Sequence, residues 1–308
     1  MGALRFSELR VQGFRRLLDA RFELRPLNVL IGANGAGKTS VLDVLSLLAN
    51  SATGKLSSAI TDLSGLPAIL TYDHADALQI SISMEAADRE PLDYSILLKP
   101  GGLAYTVAEE RLIQGSQPGG VRRHIDSTGP NVVYHDVNQN EPVRPTWEHN
   151  PLETSLSQLP KMFREPEEFR SHLASLSHYH VLNIDARNGE ELVSSLYYLK
   201  ETEPDRFHAI EDALRVAYPR FDRLAFPPVA AGTLALAWRE RGFSKPLYMH
   251  QLSDRLVRFL KPEEVLLMDT TEEGMTTVTR ADSLDLGKWL EDYSLDELWQ
   301  NGRLGARP

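Results

Sequence analysis

Residues 32–39, with the sequence GANGAGKT, constrain this chain more than any other stretch, because they match the full GxxxxGK[ST] pattern of a phosphate-binding loop. A short apolar run at 27–31 precedes the loop and predicts a buried parallel strand. After the loop, aliphatic residues recur at helical spacing, namely Val41, Leu42, Val44, Leu45 and Leu48. A strand, the loop and a helix therefore follow one another in the required order, which disfavours an accidental glycine-rich turn.

Each part of the loop has a physical role in holding phosphates. Glycine lacks a Cβ and tolerates positive φ, so the backbone can surround a phosphate with its N–H groups directed inwards. A helix that starts near Gly37 adds the positive end of its dipole. Lys38 can bridge the β- and γ-phosphates, and the Thr39 hydroxyl can ligate Mg²⁺, with Ser40 as a second candidate. The predicted nucleotide-binding residues are Gly32, Asn34, Gly35, Ala36, Gly37, Lys38, Thr39 and Ser40.

The composition is that of an ordinary soluble globular protein. Of the 308 residues, 42% are hydrophobic and 25% are charged, and no apolar run of about eighteen residues predicts a membrane span. The first nine residues carry charges and no signal-peptide core. Cysteine is absent, which excludes disulfides, thiol nucleophiles and thiolate metal sites. The expected location is the cytoplasm.

The charge distribution bears on nucleic-acid binding. A net charge of −10 argues against extensive coating of nucleic acid, because non-specific affinity comes from neutralising phosphates. Residues 1–25 nevertheless hold six arginines against three acids. A solvated sheet edge is the favoured interpretation of these arginines, and a DNA-contacting patch is the alternative.

Hydrophobic periodicity predicts a mixed α/β chain. Predicted strands lie at 4–11, 20–24, 78–84, 94–99, 104–108 and 178–184, and a hairpin joins 265–269 to 276–278. Predicted helices lie at 167–176, 189–200, 204–218, 286–293 and 295–299. Residues 49–65 are rich in Ser, Gly and Thr without strong periodicity and predict a mobile loop.

Four segments are similar to those of one group of proteins: 14–15 (FR), 27–40, 252–254 (LSD) and 289–295 (WLEDYSL). With the order of elements, they resemble the bacterial predicted AAA-family ATPases with an ABC-type head, relatives of the RecF and SMC proteins. The resemblance implies an α/β P-loop NTPase fold, ABC/SMC-like, with a mixed sheet. It further implies a single domain over 1–308 with an inserted helical region at 160–220.

The same resemblance implies how such a head works. Two subunits would hold ATP and Mg²⁺ between the phosphate loop of one and the signature loop of the other, and hydrolysis would release them. The group is linked to DNA repair and phage defence, so DNA or a partner protein is a further candidate partner beside the homodimer.

Matching positions carry over residue by residue. Gln158 resembles the glutamine that senses Mg²⁺ and the attacking water, which makes it, with Lys38, a predicted catalytic residue; an ordinary surface glutamine is the alternative. Ser253 resembles the signature serine that contacts the γ-phosphate across the dimer, although Arg255 stands where glycine is expected. Phe14 or Arg15 could lie against the adenine ring; a packed Phe and a surface Arg are the favoured interpretation.

One block of the family pattern is missing. The signature helix should be followed by a strand that ends in an Asp-Glu pair, yet residues 262–268 resemble the strand that comes after that block. Asp269 follows four apolar residues and could hold Mg²⁺ through water, but Thr270 stands where the catalytic Glu belongs. Slow or absent hydrolysis is therefore predicted, because water is not oriented.

Two alternatives remain. The chain could be a competent ATPase that dimerises on ATP and obtains the acids from elsewhere. It could instead be a non-catalytic regulatory partner, which predicts an exposed apolar sheet edge where strands are lacking.

Overall fold

The structure is a computed structural model that describes residues 4–87, 89–101, 104–115, 121–136, 141–145, 149–160, 164–176, 190–230, 233–248, 260–287, 289 and 293–304. Two compact units are formed. The described parts of 1–178 and 263–284 belong to unit 1, and those of 179–262 and 285–304 belong to unit 2. The predicted helical insertion at 160–220 is thus divided between the two units.

The elements follow in chain order. They are β1 (Arg5–Phe14), β2 (Leu17–Glu23), β3 (Val29–Gly32), α1 (Lys38–Ala52), α2 (Leu56–Asp62), α3 (Leu66–Ile69), β4 (Leu78–Ala86), β5 (Arg89–Gly101), β6 (Ala104–Gln114), β7 (Arg122–Thr128), β8 (Tyr134–Asp136), β9 (Glu141–Val143), α4 (Ser155–Gln158), α5 (Arg164–Ala174), α6 (Glu190–Thr202), α7 (Pro204–Ala217), β10 (Phe221–Ala225), β11 (Pro228–Ala230), β12 (Thr233–Leu234), β13 (Ala237–Glu240), β14 (Leu247–Tyr248), β15 (Val265–Thr270), β16 (Thr276–Arg280) and α8 (Leu295–Gln300).

The large sheet of unit 1 is antiparallel. Its order is β2-β1-β4-β5-β6-β7-β8-β9. Along β4 every second side chain is buried, including Leu78, Ile80 and Ile82, because alternate residues of a strand face opposite sides. The buried face joins α1 and α5 in one core, where the rings of Tyr94 and Phe169 lie 5.4 Å apart. β4, β5 and β6 confirm the strands predicted at 78–84, 94–99 and 104–108.

A second, mixed sheet of unit 1 has the order β16-β15-β3. β15 pairs antiparallel with β16, which confirms the predicted hairpin, and parallel with β3. The parallel register sets Val265 beside Val29 and Met268 beside Gly32. Over the residues that the structure covers, β3 pairs along one edge only and its four residues are half-buried.

The predicted mobile loop at 49–65 is wrong. α1 continues to Ala52, and α2 follows almost at once. The helix forms because Leu56 and Ile60 are buried in the core. Its N-terminus is capped from a distance, since the Glu153 carboxylate accepts hydrogen bonds from the backbone N–H groups of Leu56 (2.9 Å) and Ser57 (3.1 Å).

In its described residues, unit 2 combines the helices α6, α7 and α8 with small sheets. α6 and α7 confirm the helices predicted at 189–200 and 204–218. Phe207, Phe221 and Trp238 belong to the core of this unit, and β10, β13 and β14 form a three-stranded sheet. The predicted strand at 178–184 lies outside the described residues, as do residues 290–292 of a predicted helix. None of the helices that the structure describes is both long and apolar enough to cross a membrane.

Candidate nucleotide-binding site

The loop of residues 32–39 connects the end of β3 to the start of α1. Gly35 and Gly37 have φ values of 86° and 99°, which side chains with a Cβ rarely adopt. A turn closes with the hydrogen bond from Ala36 N to Ala33 O (3.1 Å), and the helix begins with that from Val41 N to Gly37 O (3.2 Å). The predicted strand, loop and helix are therefore all present.

The β15–β16 hairpin closes one side of the loop and leaves the other open. A Cβ on Gly32 would lie 2.1 Å from the Met268 carbonyl oxygen, and one on Gly37 would lie 2.7 Å from Thr276 Oγ1. A Cβ on Gly35 would meet no described atom within 4 Å. Gly35 and its neighbour Asn34 are exposed. The side of the loop at Gly35 is thus accessible to an anion.

Lys38 lies across the loop that it follows. Its Nζ donates hydrogen bonds to the carbonyl oxygens of Gly32 (2.5 Å) and Ala33 (2.9 Å). The side chain is half-buried, and burial lowers the pKa of this ammonium from its ordinary value. An ammonium with three donors can keep contact with these carbonyls while it donates to an incoming phosphate oxygen.

The two hydroxyls after Lys38 differ in accessibility. Thr39 is exposed in the first turn of α1, whereas Ser40 is only 7% exposed. The first N–H groups of a helix lack intrahelical partners and point towards its N-terminal end, where a phosphate would lie. Of the two candidates, Thr39 is therefore the exposed one.

Arg15 lies in the β1–β2 turn beside α1. The φ angle of Arg15 is 48°. Its guanidinium contacts the carboxylate of Asp43 at 2.5 Å, and Asp43 lies in α1 one helical turn after Thr39. The guanidinium also lies 5.1 Å from the centre of the Phe14 ring. Phe14 itself is fully buried and is unavailable to a nucleotide base. Arg15, unlike Phe14, therefore lies at an accessible position next to α1, the helix that follows the phosphate loop.

The structure does not bring Gln158 to the phosphate loop. The adjacent Thr154 donates to the carbonyl oxygen of Ser51, near the end of α1, while Thr39 lies near its start. Twelve residues of helix span about 18 Å. The Gln158 amide is engaged locally, since its Oε1 accepts from Asn150 N at 2.7 Å. Its predicted contact with Mg²⁺ stays a prediction that this geometry does not support, because the amide caps the preceding turn.

Ser253 and Asp269 are the other two residues that the sequence suggested for the site. Ser253 lies outside the described residues. Asp269 is the last but one residue of β15 and follows Met268, whose side chain approaches Gly37. Successive side chains of a strand point to opposite faces, so Asp269 points away from the face of the hairpin that packs on the loop.

Sequence reasoning missed Met268 and Thr276 as neighbours of the loop. Thr276 Oγ1 donates to the carbonyl oxygen of Ala36 at 2.9 Å, and its backbone N–H donates to Arg16 O at 2.8 Å. The hairpin was predictable from its two strand segments and its turn, but no local pattern indicates what it packs against. The parallel register with β3 is what brings it to the loop.

The arginine-rich N-terminal segment is largely neutralised by acids. Five of its six arginines form ion pairs: Arg5 with Glu85, Arg10 with Asp19, Arg15 with Asp43, Arg21 with Glu8, and Arg25 with both Glu23 and Asp282. This pairing agrees with the favoured interpretation of a solvated sheet edge.

The chain is similar to known proteins in part of its length. The family model described as AAA ATPase domain matches residues 5–184, which is more than half of the chain. A search of curated proteins gave no match. Among solved structures, the chain is similar to the recombination mediator protein RecF with ATP in the RecFOR pathway, at 18% identity and a TM-score of 0.28. That similarity covers 36% of this chain and only 27% of the RecF chain.

Proposed function

Because the chain belongs to the AAA ATPase domain family, we propose that it binds ATP together with Mg²⁺ through residues 32–39. Family membership, together with the mixed helices and strands, confirms the predicted AAA-family assignment and the α/β P-loop NTPase fold. The observation that carries the proposal is a loop that is closed by the hairpin on one side, open at Gly35 on the other, and crossed by the Lys38 ammonium.

In this proposal, different residues of the site bind the phosphates and the Mg²⁺ ion. Backbone N–H groups from Gly35 to Thr39 and the Lys38 ammonium bind the phosphates, and Arg15 borders the site from the β1–β2 turn. Mg²⁺ would neutralise charge on the β- and γ-phosphate oxygens. In the described part of the chain no group of three His, Cys, Asp or Glu side chains could hold a metal ion. In this proposal the Thr39 hydroxyl is the protein ligand of Mg²⁺, and phosphate and water oxygens supply the remaining ligands.

Hydrolysis is weak or absent in this proposal. Asp269, the one acid that the sequence offers on β15, lies on the face opposite to the loop, and Thr270 follows it. Phosphoryl transfer needs a group that orients the attacking water. A single-turnover assay with Mg²⁺-ATP should give phosphate release no faster than the Lys38→Ala variant. Faster release would favour the competent ATPase that obtains its acids elsewhere.

A non-catalytic regulatory partner is the second candidate, and one observation favours it. The apolar strand β3 is half-buried and, as far as the chain is described, unpaired along one edge. An ABC/SMC-like ATPase that uses ATP as the contact between subunits should double in mass when ATP is added. Sedimentation with and without Mg²⁺-ATP separates the two, since a regulatory partner stays monomeric.

A role in DNA repair or phage defence in the cytoplasm is the setting that the family resemblance proposes.

The central experiment removes the ammonium. Lys38→Ala should weaken ATP binding by at least about tenfold, because charge-assisted hydrogen bonds to phosphate are lost. Isothermal titration calorimetry with Mg²⁺-ATP measures the change.

The matched control is Lys55→Ala, which makes the same substitution at an exposed position beyond the far end of α1. This variant should bind ATP as the unmodified chain does. If Lys38→Ala retains full affinity while folded, the phosphates do not bind at this loop and the proposal is wrong.

A further inference from the structure

Thr276 contacts the centre of the phosphate loop from a strand that carries no nucleotide motif. It is the first residue of β16 and is only 6% exposed. Its hydroxyl donates to the Ala36 carbonyl oxygen at 2.9 Å, and the same Oγ1 would lie 2.7 Å from a Cβ on Gly37. The hydroxyl thus lies against the Ala36–Gly37 peptide.

A hydrogen bond at this carbonyl determines the direction of the next N–H group. The peptide unit is planar and trans, so its C=O and N–H point in opposite directions. With the Ala36 carbonyl held by Thr276, the Gly37 N–H points away from the hairpin. The hairpin occupies one side of the loop and the other is open, so this N–H faces the side that an anion can enter.

The peptide needs such an anchor because its own torsions are permissive. Gly37 has a φ of 99° and, as glycine, can adopt other values at little cost. A rotation of the Ala36–Gly37 peptide would turn the carbonyl oxygen towards a bound phosphate and replace a donor by a negative dipole. The Thr276 hydroxyl opposes that rotation, since the rotation would leave a buried polar group without its partner.

Thr276 is itself held in place from two sides. Its backbone N–H donates to Arg16 O at 2.8 Å, and it pairs in register with Thr270 at the end of the hairpin. The backbone of Thr276 is therefore fixed, and this fixes the position from which its side-chain hydroxyl donates.

On the basis of the proposed nucleotide binding, we infer that Thr276 is a positioning residue of the site, which keeps the Gly37 N–H directed at the phosphates of the nucleotide. It touches the loop and not the ligand. Its contribution depends on the hydroxyl and not on the size of the side chain.

The test compares two substitutions at this position. Thr276→Val keeps the shape and removes the donor, and it should weaken Mg²⁺-ATP binding by roughly five- to tenfold, the loss expected for one hydrogen bond and an unsatisfied carbonyl. Thr276→Ser keeps the donor and should restore affinity to within about twofold. Adenosine, which has no phosphate, should show no affinity difference between the two variants.

The amide signal of Gly37 gives a second measurement that does not depend on affinity. In ¹⁵N-labelled protein, phosphate binding should shift this signal for the unmodified chain and for Thr276→Ser, and much less for Thr276→Val. Thr279→Val, an exposed threonine on the opposite face of β16, is the matched control and should behave as the unmodified chain.

The outcomes separate this inference from the proposed function. If Lys38→Ala loses ATP affinity while Thr276→Val keeps it and shows the normal Gly37 shift, the positioning role is refuted and nucleotide binding stands. Equal losses in Thr276→Val and Thr276→Ser would refute it as well, because the hydroxyl would then be irrelevant. If Thr276→Val does not fold, a normal Gly37 shift in Thr276→Ala overturns the inference. If Lys38→Ala retains ATP affinity, the inference fails together with the proposed function.

Discussion

The Lys38 side chain combines the charge that is proposed to bind phosphate with partial burial. Its ammonium donates to two loop carbonyls, and the pKa of the group is lowered from 10.5 because burial disfavours the charged form. A bound triphosphate would favour the charged form and raise that pKa again. Binding and protonation of Lys38 are therefore coupled.

This coupling gives a pH dependence with a defined sign. Below the lowered pKa the group is charged in the free protein, and above it the free protein must take up a proton to bind ATP. Affinity should therefore be constant near neutral pH and fall at alkaline pH, approaching about tenfold per pH unit above the lowered pKa. Calorimetric titrations between about pH 7 and pH 10 measure the profile.

Lys38→Arg is the matched variant, because a guanidinium stays charged across this range. Its ATP affinity, although lower overall, should not change over the same interval. Superimposable profiles for the two proteins would show that another group titrates.

Glu110 is a second residue whose burial has a measurable consequence. It is fully buried in β6, where its carboxylate accepts hydrogen bonds from Ser155 N (2.5 Å), Leu156 N (2.9 Å) and the Tyr94 hydroxyl (3.0 Å). Burial, the largest cause, raises the pKa of Glu110 above its ordinary 4.5.

A raised carboxyl pKa lowers stability as pH rises. The folded chain keeps the Glu110 proton at pH values where the unfolded chain has lost it, so the stabilisation is complete below 4.5 and decreases as pH rises through the folded pKa. Glu110→Gln cannot ionise and should lack this slope. Urea unfolding between about pH 4 and pH 8 tests this, and parallel curves for the two proteins would contradict it.

Single residues of the candidate site could be predicted from the sequence only where they lie close to one another along the chain. Lys38 and Thr39 could be predicted as site residues because the motif, its strand and its helix are contiguous, and the structure adds that Thr39 rather than Ser40 is exposed. Thr276 could not be assigned, since its contact with Ala36 spans 240 positions and depends on the register of β15 with β3. Gln158 was assigned from its neighbours alone, and the packing of α4 near the end of α1 was not visible in them.

At the scale of elements, α2 depends on a single distant carboxylate. Glu153 is nearly buried, and both of its carboxylate oxygens accept hydrogen bonds from backbone N–H groups in the first turn of α2. Glu153→Ala should lower the free energy of unfolding by about 2 kcal/mol, because two helix donors lose their partner. Urea unfolding measures the loss, and hydrogen exchange of residues 56–62 localises it.

Asp62→Ala, which removes an exposed acid from the other end of the same helix, is the control and should change stability little. Equal destabilisation by both substitutions would contradict a specific cap at Glu153.

The same contact explains why this helix escaped prediction while others did not. α7 has an apolar face that sequence periodicity detects, and it was predicted from that face. α2 has only seven residues and no local cap, so its stability comes from Glu153 and from the burial of Leu56 and Ile60. Tertiary support of this kind has no signature within residues 49–65.

At the scale of the whole molecule, charge argues against strong binding of duplex DNA without nucleotide. The net charge is −10, and five of the six N-terminal arginines already contact acids. We expect a dissociation constant weaker than about 100 μM at about 0.15 M salt, measured by fluorescence anisotropy with a labelled duplex.

A double variant, Glu8→Gln with Asp19→Asn, frees the guanidinium groups of Arg21 and Arg10. It should bind the duplex more tightly and with a steeper dependence on salt. Micromolar binding by the unmodified chain at the same salt concentration would show that the paired arginines still attract DNA.

The contact between Thr276 and Ala36 also sets an order in time. During translation at roughly 5 to 20 residues per second, the 240 positions between them take about 10 to 50 s to synthesise. Throughout that interval a nascent chain carries the glycine-rich motif without the hairpin that supports it. On a ribosome, the proposed nucleotide site is therefore complete only once β16 has emerged, long after residues 32–39.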